Sequence, residues 1–272
     1  MLAAWLRDFQ DEAEKARVFD IGRVTGLRQE ADRYYPANFE RGLLLREVVR
    51  RLQPRRILEL GTGRGLGILC MADQVRALNY QAEFVSVDII SPATRQDWPI
   101  LMDGQYSAQP RSLEEVWSQN FPELQAQITL RTGATTVILP SLVKEGRQFD
   151  FIFIDAGHDV YSVFHDFAYS SLLLSGQGEI LMDDFAPMDA FGLGTCIIAA
   201  HAKRVFERVE AIESNGLVFE EGYSGFTRGM LHLRGMKPGK YKVNSFTLLA
   251  ATVLGKAAAA LFNPKMLPLR IS

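Results

Sequence analysis

Short apolar runs alternate with segments of helical length through the middle of this chain, and this alternation limits the possible folds most strongly. Helices are predicted between the first two runs, over Gly67–Ala77, and between the last two, over Tyr161–Leu174. Strands that alternate with helices form βαβ units, so the pattern predicts a parallel sheet covered by helices. The five predicted strands are Arg56–Leu60, Phe84–Asp88, Ile128–Arg131, Phe149–Asp155 and Glu179–Asp184.

The part of the chain after these runs predicts how the sheet ends. A helix is predicted over Gly194–Arg208, and two further strands, as an antiparallel edge pair, over Val209–Glu213 and Gly229–Arg234. Because crossovers between parallel strands are right-handed, the expected architecture is α/β: a doubly wound, mostly parallel, seven-stranded sheet. Ligands of such folds bind at the carboxyl ends of the strands.

Three regions are predicted along the chain. Residues 1–53 form a helical lead-in or cap, interrupted at Tyr35-Pro36 because proline disfavours the α conformation of the residue before it. Residues 54–234 form the catalytic domain, and residues 235–272 form a basic tail. The long connection from Asp88 to Ile128 is expected to be a lid or a surface decoration.

Composition excludes several classes of protein. The 272 residues are 47% hydrophobic and 23% charged, which rules out a disordered or collagen-like chain. The two cysteines, Cys70 and Cys196, form neither a disulfide framework nor a CxxC metal pair, which favours a reducing, cytoplasmic location. The first twenty residues become acidic early and lack a long apolar stretch, so no secretory signal is expected.

The net charge of −2 conceals an uneven distribution. From Gly222 to Ser272 there are eight Lys or Arg and no acidic residue. Within this tail, residues 246–262 are strongly apolar and are predicted to form a helix that ends at Asn263-Pro264. It is short for a membrane span and contains a lysine. Three roles stay open: a homo-oligomer interface, a cover over the acidic body, or contact with an anionic membrane surface. Nucleic acid is not an expected partner, because aromatic residues are scarce there.

A glycine-rich turn follows the first predicted strand: Glu59-Leu60-Gly61-Thr62-Gly63-Arg64-Gly65. Glycine permits the positive φ of a tight turn and lets a ligand approach the backbone. The dinucleotide fingerprint GxGxxG fails at Leu66, and the phosphate-loop motif lacks its lysine. Asp88 ends the next strand, 27 positions after Gly61, where a carboxylate can accept hydrogen bonds from both ribose hydroxyls. A nucleoside ligand is therefore predicted.

Three carboxylates are expected to meet at the ends of the fourth and fifth strands: Asp155, Asp183 and Asp184. They repel one another unless a cation lies between them or one is protonated, and oxygen ligands suit Mg²⁺. His158 follows Asp155 by three residues and is expected to face the same cleft, where it could take a proton from a substrate hydroxyl. The alternative is a purely structural role for the acids, as partners of helix N-termini, and for His158, as a turn residue.

These motifs together resemble the class I S-adenosylmethionine-dependent methyltransferases over residues 38–234. The resemblance implies that Gly61 and Gly63 pack against the methionine part of the cofactor, and it assigns Thr62 and Asp155 to the cofactor site as well. It also implies that Glu59 holds the amino group of the cofactor. Asp88 would bind the ribose. The turn Thr132-Gly133-Ala134 is similar to the adenine-contacting turn of the family, which assigns Gly133 and Ala134 to the cofactor site.

The motif Asp155-x-x-His158 with Asp183-Asp184 is similar to the metal-dependent O-methyltransferases. The catechol-type branch has lysine at the position of His158, whereas the branch acting on macrolide sugars has histidine. The resemblance implies Mg²⁺ on Asp155, Asp183 and Asp184, His158 as the base, and a small-molecule acceptor, under a cap formed by residues 91–111. The alternatives are a metal-free N-methyltransferase, a nicotinamide-dependent oxidoreductase, which would need the missing third glycine, and a catalytically silent assembly protein.

Overall fold

A computed structural model describes residues 12–25, 28–30, 33–35, 38–102, 105–187, 192–214, 218–219, 222–223 and 228–238. The predicted tail helix over residues 246–262 lies outside these ranges. The helices are α1 (Glu12–Thr25), α2 (Phe39–Leu52), α3 (Leu66–Ala77), α4 (Leu113–Asn120), α5 (Pro122–Gln125), α6 (Thr135–Lys144), α7 (Val160–Leu173) and α8 (Leu193–Ala202). The strands are β1 (Arg28–Glu30), β2 (Arg33–Tyr35), β3 (Arg56–Leu60), β4 (Glu83–Asp88), β5 (Gln96–Met102), β6 (Gln105–Arg111), β7 (Ile128–Thr132), β8 (Phe149–Ile154), β9 (Leu174–Phe185), β10 (Phe206–Ile212), β11 (Val218–Phe219), β12 (Gly222–Tyr223) and β13 (Gly229–Met236).

The central sheet has seven strands in the order β10-β13-β9-β8-β3-β4-β7. Strands β9, β8, β3, β4 and β7 are parallel, while β13 runs antiparallel to both β9 and β10. The predicted doubly wound, mostly parallel sheet is confirmed, including the antiparallel pair at its edge. Because β3 is central and the chain continues first to β4 and later to β8, the strand order reverses beside β3, where ligands of α/β sheets bind.

Helices cover both faces of the sheet, so consecutive residues of a strand enter different cores. In β3, Ile57 packs with α1, α2 and α3, whereas Leu58 packs with α6, α7 and α8. In β8, Phe151 and Phe153 face the first layer, and Ile152 faces the second. This alternation follows from the two-residue period of a strand. It explains why the strands are continuous apolar runs, as expected for a sheet buried on both faces.

The N-terminal region is partly helical, as predicted, and breaks before α2. The break contains the short hairpin of β1 and β2, which a purely helical interpretation of residues 1–53 did not include. Helix α1 is attached to the body by partly buried ion pairs: Glu14 contacts Arg46 of α2, and Arg17 lies 2.6 Å from Asp73 of α3. Arg46 and Asp73 also contact each other. The cap is thus fixed by packing and by charge.

The long connection between β4 and β7 is an ordered unit rather than an irregular loop. It contains the hairpin of β5 and β6, followed by α4, whose capping box pairs Ser112 with Glu115. Trp98 is buried, and its indole N–H donates to the carbonyl of Val24 at 2.6 Å. The guanidinium of Arg64 lies 5.5 Å from the Trp98 ring centroid. The hairpin is therefore attached both to the helical cap and to the glycine turn.

One predicted boundary was wrong. The helix expected over residues 194–208 ends at Ala202, and Phe206 already begins β10. The mixture of apolar and charged residues after Ala202 is compatible with a helix or with a strand. Pairing with β13 makes the segment from Phe206 onward a strand. Among the described residues, no helix is long and apolar enough to cross a membrane.

Candidate active site

The glycine turn joins β3 to α3 and is pressed against the end of β8. Gly61 has φ +90°, and a Cβ there would lie 2.0 Å from the carbonyl oxygen of Asp155. Gly63 has φ +53°, and a Cβ there would meet nothing within 4 Å. Gly61 is thus required by the fold, whereas Gly63 presents open backbone to the cleft. Such open backbone is what a ligand needs for close approach.

A hydrogen-bonded chain of polar side chains supports this turn from below. Ser86 Oγ donates to Glu59 Oε2 at 2.6 Å and lies 2.7 Å from Thr62 Oγ1. Glu59 is only 1% exposed, and burial raises its pKa to about 8. The structure places the carboxyl group of Glu59 beneath the turn. The contact predicted between this group and the amino group of a cofactor stays a prediction.

Asp88 lies at the end of β4, beside the glycine turn. Its carboxylate accepts hydrogen bonds from the backbone N–H groups of Gly63 and Ile90, each at 2.8 Å. The N–H of Gly133 donates to the carbonyl of Asp88 at 2.8 Å, so the predicted adenine turn adjoins the same residue. Ala134 follows as the N-cap of α6. The sheet therefore brings together the turn, the ribose candidate and the adenine candidate.

Thr62, Gly63, Asp88 and Thr132 line a cleft that encloses about 290 Å³ of empty space open to solvent; we call it the nucleoside cleft. Ile90, another lining residue, is 43% exposed, and its neighbour Ile89 is 72% exposed. Exposed apolar side chains beside a polar cleft are typical of a ligand-binding surface. Neither isoleucine was predicted from the sequence to belong to a site.

The three predicted carboxylates do converge. Asp155, Asp183 and Asp184 each offer an oxygen, and these oxygens lie within 4.8 Å of one another. They border a second cleft of about 270 Å³, which also includes His158 and Thr195; we call it the acidic cleft. Burial raises the pKa of Asp183 to about 7, with repulsion from Asp155 and Asp184 adding to the effect.

A cation that sequence reasoning missed lies among these acids. The guanidinium of Arg41, in the first turn of α2, bridges the carboxylates of Asp155 and Asp183. Its positive charge opposes the rise in the pKa of Asp183. The methyltransferase resemblance begins at residue 38, but Arg41 was not predicted to belong to the site. Only the packing of α2 over the strand ends brings Arg41 to the cluster.

His158 and Asp184 form a second pair in the acidic cleft. His158 Nδ1 lies 2.6 Å from Asp184 Oδ2, and Arg228 Nη1 lies 3.3 Å from Asp184 Oδ1. The hydrogen bond with Asp184 raises the pKa of His158 above its usual value. Asp184 has φ +58°, a left-handed conformation that is uncommon outside glycine and asparagine. In this conformation the Asp184 carboxylate contacts His158, while the carboxylate of the preceding Asp183 contacts Arg41.

Comparison with known proteins agrees with this geometry. Residues 58–185 match a family described as a methyltransferase domain. An O-methyltransferase of Aspergillus hancockii, hkm8, is 30% identical over 132 residues, which are 48% of this chain and 43% of that protein. A catechol O-methyltransferase of Niastella koreensis is 31% identical over 146 residues, which are 53% of this chain and 54% of that protein. The chain thus spans about half the length of the curated relatives it matches.

Solved structures share the fold at lower identity. The O-methyltransferase of Bacillus cereus in complex with S-adenosylhomocysteine has a TM-score of 0.53 at 18% identity, covering 86% of this chain and 96% of its own. The O-methyltransferase TomG of Streptomyces achromogenes, involved in tomaymycin synthesis and bound to S-adenosylmethionine, has a TM-score of 0.52 at 20% identity, covering 84% of this chain and 92% of its own.

The sheet order and the two clefts along its carboxyl edge define the class, a Rossmann-like α/β protein. The matched family makes the assignment more specific, because residues 58–185 match a methyltransferase domain. Over this part of the chain, the predicted resemblance to the class I S-adenosylmethionine-dependent methyltransferases is confirmed.

Proposed function

We propose that this protein transfers a methyl group from S-adenosylmethionine to a hydroxyl oxygen of a small molecule, a natural product or a sugar-like compound. One observation carries the proposal: the nucleoside cleft and the acidic cleft lie side by side on the same sheet edge. Gly61, which precedes the lining residues Thr62 and Gly63 of the first, packs directly against the backbone of Asp155 of the second. A methyl donor and an acceptor held in the two clefts would therefore be neighbours, which is the requirement for in-line transfer. The names of the relatives support oxygen as the acceptor atom.

The nucleoside cleft has the groups that an adenosyl cofactor needs. Asp88 keeps acceptor capacity on both oxygens in addition to its two backbone partners, so it can accept from the ribose hydroxyls. Open backbone at Gly63 suits the methionine part, next to Thr62. Gly133 and Ala134 begin the turn beside which the adenine would lie. Most of these contacts come from backbone groups, which the sheet positions rigidly.

The acidic cleft fits a divalent cation by its chemistry. All three candidate ligands are carboxylates, which suit Mg²⁺, and a guanidinium already bridges two of them as a stand-in cation. Asp155, Asp183 and Asp184 would hold the ion. When bound, a divalent cation would lower the pKa of an acceptor hydroxyl and orient it.

His158 is proposed as the general base. Asp184 accepts from Nδ1 and so fixes the orientation of the ring, which leaves the lone pair of the neutral imidazole on Nε2. In the transfer, the acceptor oxygen forms a bond to the methyl carbon while the bond from carbon to sulfur breaks. The hydroxyl proton passes to His158, and the electron pair of the broken bond stays on sulfur, giving neutral S-adenosylhomocysteine.

A metal-free methyltransferase, acting for example on nitrogen, is a second candidate, and one observation favours it. Arg41, Arg228 and His158 already pair the three carboxylates, so the cluster can be stable without a metal. The two candidates differ in their response to chelation. Methyl transfer that persists after EDTA treatment would support the metal-free reaction.

The test is a screen with labelled S-adenosylmethionine against hydroxylated natural products and matched amines, with and without EDTA. We expect label in a hydroxylated acceptor, loss of transfer with EDTA and recovery with Mg²⁺. Label in amines alone would contradict the O-methyltransferase proposal. A wild-type protein that fails to bind S-adenosylhomocysteine would contradict methyl transfer altogether.

A further inference from the structure

Arg41 lies between Asp155 and Asp183, where a cation shared by the two carboxylates would lie. One terminal nitrogen of its guanidinium contacts Asp155 Oδ2, and the other contacts Asp183 Oδ2. Hydrogen bonds between a guanidinium and carboxylates are charge-assisted and strong. The two carboxylates thus share the single positive charge of this guanidinium, which would repel an ion placed between the same two groups.

From this geometry we infer that Arg41 is the resident counter-ion of the acidic cleft and that a divalent cation binds there only by displacing it. The inference rests on the proposed function only in assigning a cation to Asp155 and Asp183. Asp183 is buried and Asp155 is partly buried, and both need positive charge nearby in either state, because an uncompensated buried charge is costly. Exchange between Arg41 and an ion leaves a cation beside the two carboxylates in both states.

The start of α2 is suited to such an exchange. Asn38, its N-cap, makes no side-chain capping hydrogen bond. Among the described residues, the buried atoms Asn38 Oδ1 and Arg41 Nε have no hydrogen-bond partner. Buried polar groups are normally satisfied, so Asn38 and Arg41 have an incomplete set of polar contacts. Within the described part of the chain, the guanidinium of Arg41 therefore has no hydrogen bond at Nε to lose when it leaves the two carboxylates.

The exchange affects both the affinity of the protein for metal and its stability. Because the ion must compete with Arg41, metal binding to the native chain is weakened. Without Arg41, the carboxylates attract a cation more strongly, while the metal-free fold loses its neutralising charge. Arg41→Met should therefore bind metal more tightly and depend on it more for stability.

The inference is tested by titrating Mn²⁺ alone into the purified full chain, with free Mn²⁺ counted by electron paramagnetic resonance. We expect Arg41→Met to bind Mn²⁺ at least tenfold more tightly than the wild type. Arg50→Met, which removes a half-exposed arginine of the same helix paired with Glu47, should match the wild type. Asp183→Asn in the Arg41→Met background should lose the gain. Equal affinity of Arg41→Met and the wild type, or no Mn²⁺ binding by either, would overturn the inference.

Three further measurements keep the test decisive. If Arg41→Met is unstable alone, Mn²⁺ should raise its melting temperature by more than that of the wild type, and an equal rise would count against the exchange. Arg41→Lys, which keeps the charge but cannot bridge two carboxylates in the same way, should bind with intermediate affinity. S-adenosylhomocysteine is titrated into the same wild-type sample. Cofactor binding without any effect of Arg41 overturns this inference alone, whereas absent cofactor binding overturns the proposed methyl transfer.

Discussion

The nucleoside cleft and the acidic cleft share one sheet edge, yet they are held in shape by different forces. In the nucleoside cleft, one carboxylate, Asp88, is fixed by two backbone N–H groups, and the carboxyl group beneath it, Glu59, is buried with a raised pKa. In the acidic cleft, three carboxylates are balanced by Arg41, Arg228 and His158. One cleft is organised by the backbone and the other by charged side chains.

This difference separates binding from reactivity. Backbone groups carry no net charge and do not titrate, so the backbone part of the cofactor site does not change with pH. A site built from opposing charges responds to cations, to protons and to the loss of a single partner. The comparison predicts that substitutions in the nucleoside cleft alter the cofactor affinity, while substitutions in the acidic cleft alter the rate of the reaction.

The largest expected effect comes from the acidic cleft. His158→Ala removes the proposed base, and we expect the turnover of the acceptor found by screening to fall by about 10²- to 10⁴-fold. The affinity for S-adenosylhomocysteine, measured by calorimetry, should stay within about twofold, because His158 does not line the nucleoside cleft. The control is His201→Ala, since His201 lines neither cleft. Full turnover in His158→Ala would show that His158 is not the base.

The complementary change is in the nucleoside cleft. Asp88→Ala removes the acceptor for the ribose hydroxyls and the partner of Gly63 and Ile90, so the affinity for S-adenosylhomocysteine should fall by roughly 10²-fold, since hydrogen bonds to charged groups contribute about 1.5–3 kcal/mol each. Asp97→Ala, at an exposed position of β5, should bind normally. An unchanged affinity for S-adenosylhomocysteine in Asp88→Ala would mean that the cofactor binds elsewhere, and it would contradict the comparison of the two clefts.

A smaller effect concerns the buried carboxyl group beneath the turn. The pKa of Glu59 is raised from about 4.5 to about 8, so the folded state binds a proton that the unfolded state has released between these values. The stability of the wild type should therefore fall as the pH rises in this window, by about 1.4 kcal/mol per pH unit. Glu59→Gln should lack this slope in chemical unfolding at pH 6 and pH 7. An equal pH dependence of the unfolding free energy in the wild type and in Glu59→Gln would show that Glu59 is ionised in the folded state.

The smallest expected effect is on the attachment of the β5–β6 hairpin. Arg64→Met removes the hydrogen bond to the carbonyl of Asp97 and the cation–π contact with Trp98, which together should stabilise the protein by about 1 kcal/mol. Chemical unfolding measures the loss, and Arg208→Met, at an exposed position of β10, is the matched control. An equal loss in both variants would mean that the hairpin is not held by Arg64.

Much of the fold could be predicted because strand burial leaves a clear pattern. The runs at β3, β4, β8 and β9 are buried on both faces, whereas the edge strand β7 is only partly buried. Each acidic candidate follows or ends one of the buried runs. Since parallel strands bring their carboxyl ends to one edge, the convergence of Asp155, Asp183 and Asp184 could be inferred without coordinates.

Other features depended on tertiary packing and left little trace in the sequence. Arg41 is one arginine among many on a helix, and only the placement of α2 brings it between Asp155 and Asp183. The hairpin of β5 and β6 contains prolines and few alternating residues, so the strand pattern is weak there. Residues 203–208 were assigned to a helix because pairing with β13 cannot be read from local propensity.

The most direct test of the account is a crystal structure of the full chain with S-adenosylhomocysteine and Mn²⁺, using anomalous scattering to locate the metal. We predict that the ribose hydroxyls contact Asp88, that manganese lies between Asp155 and Asp183, and that Arg41 has left both carboxylates. S-adenosylhomocysteine bound away from Asp88, or manganese absent while Arg41 still bridges Asp155 and Asp183 at saturating Mn²⁺, would contradict the claim that the two clefts form one metal-assisted methyl-transfer site.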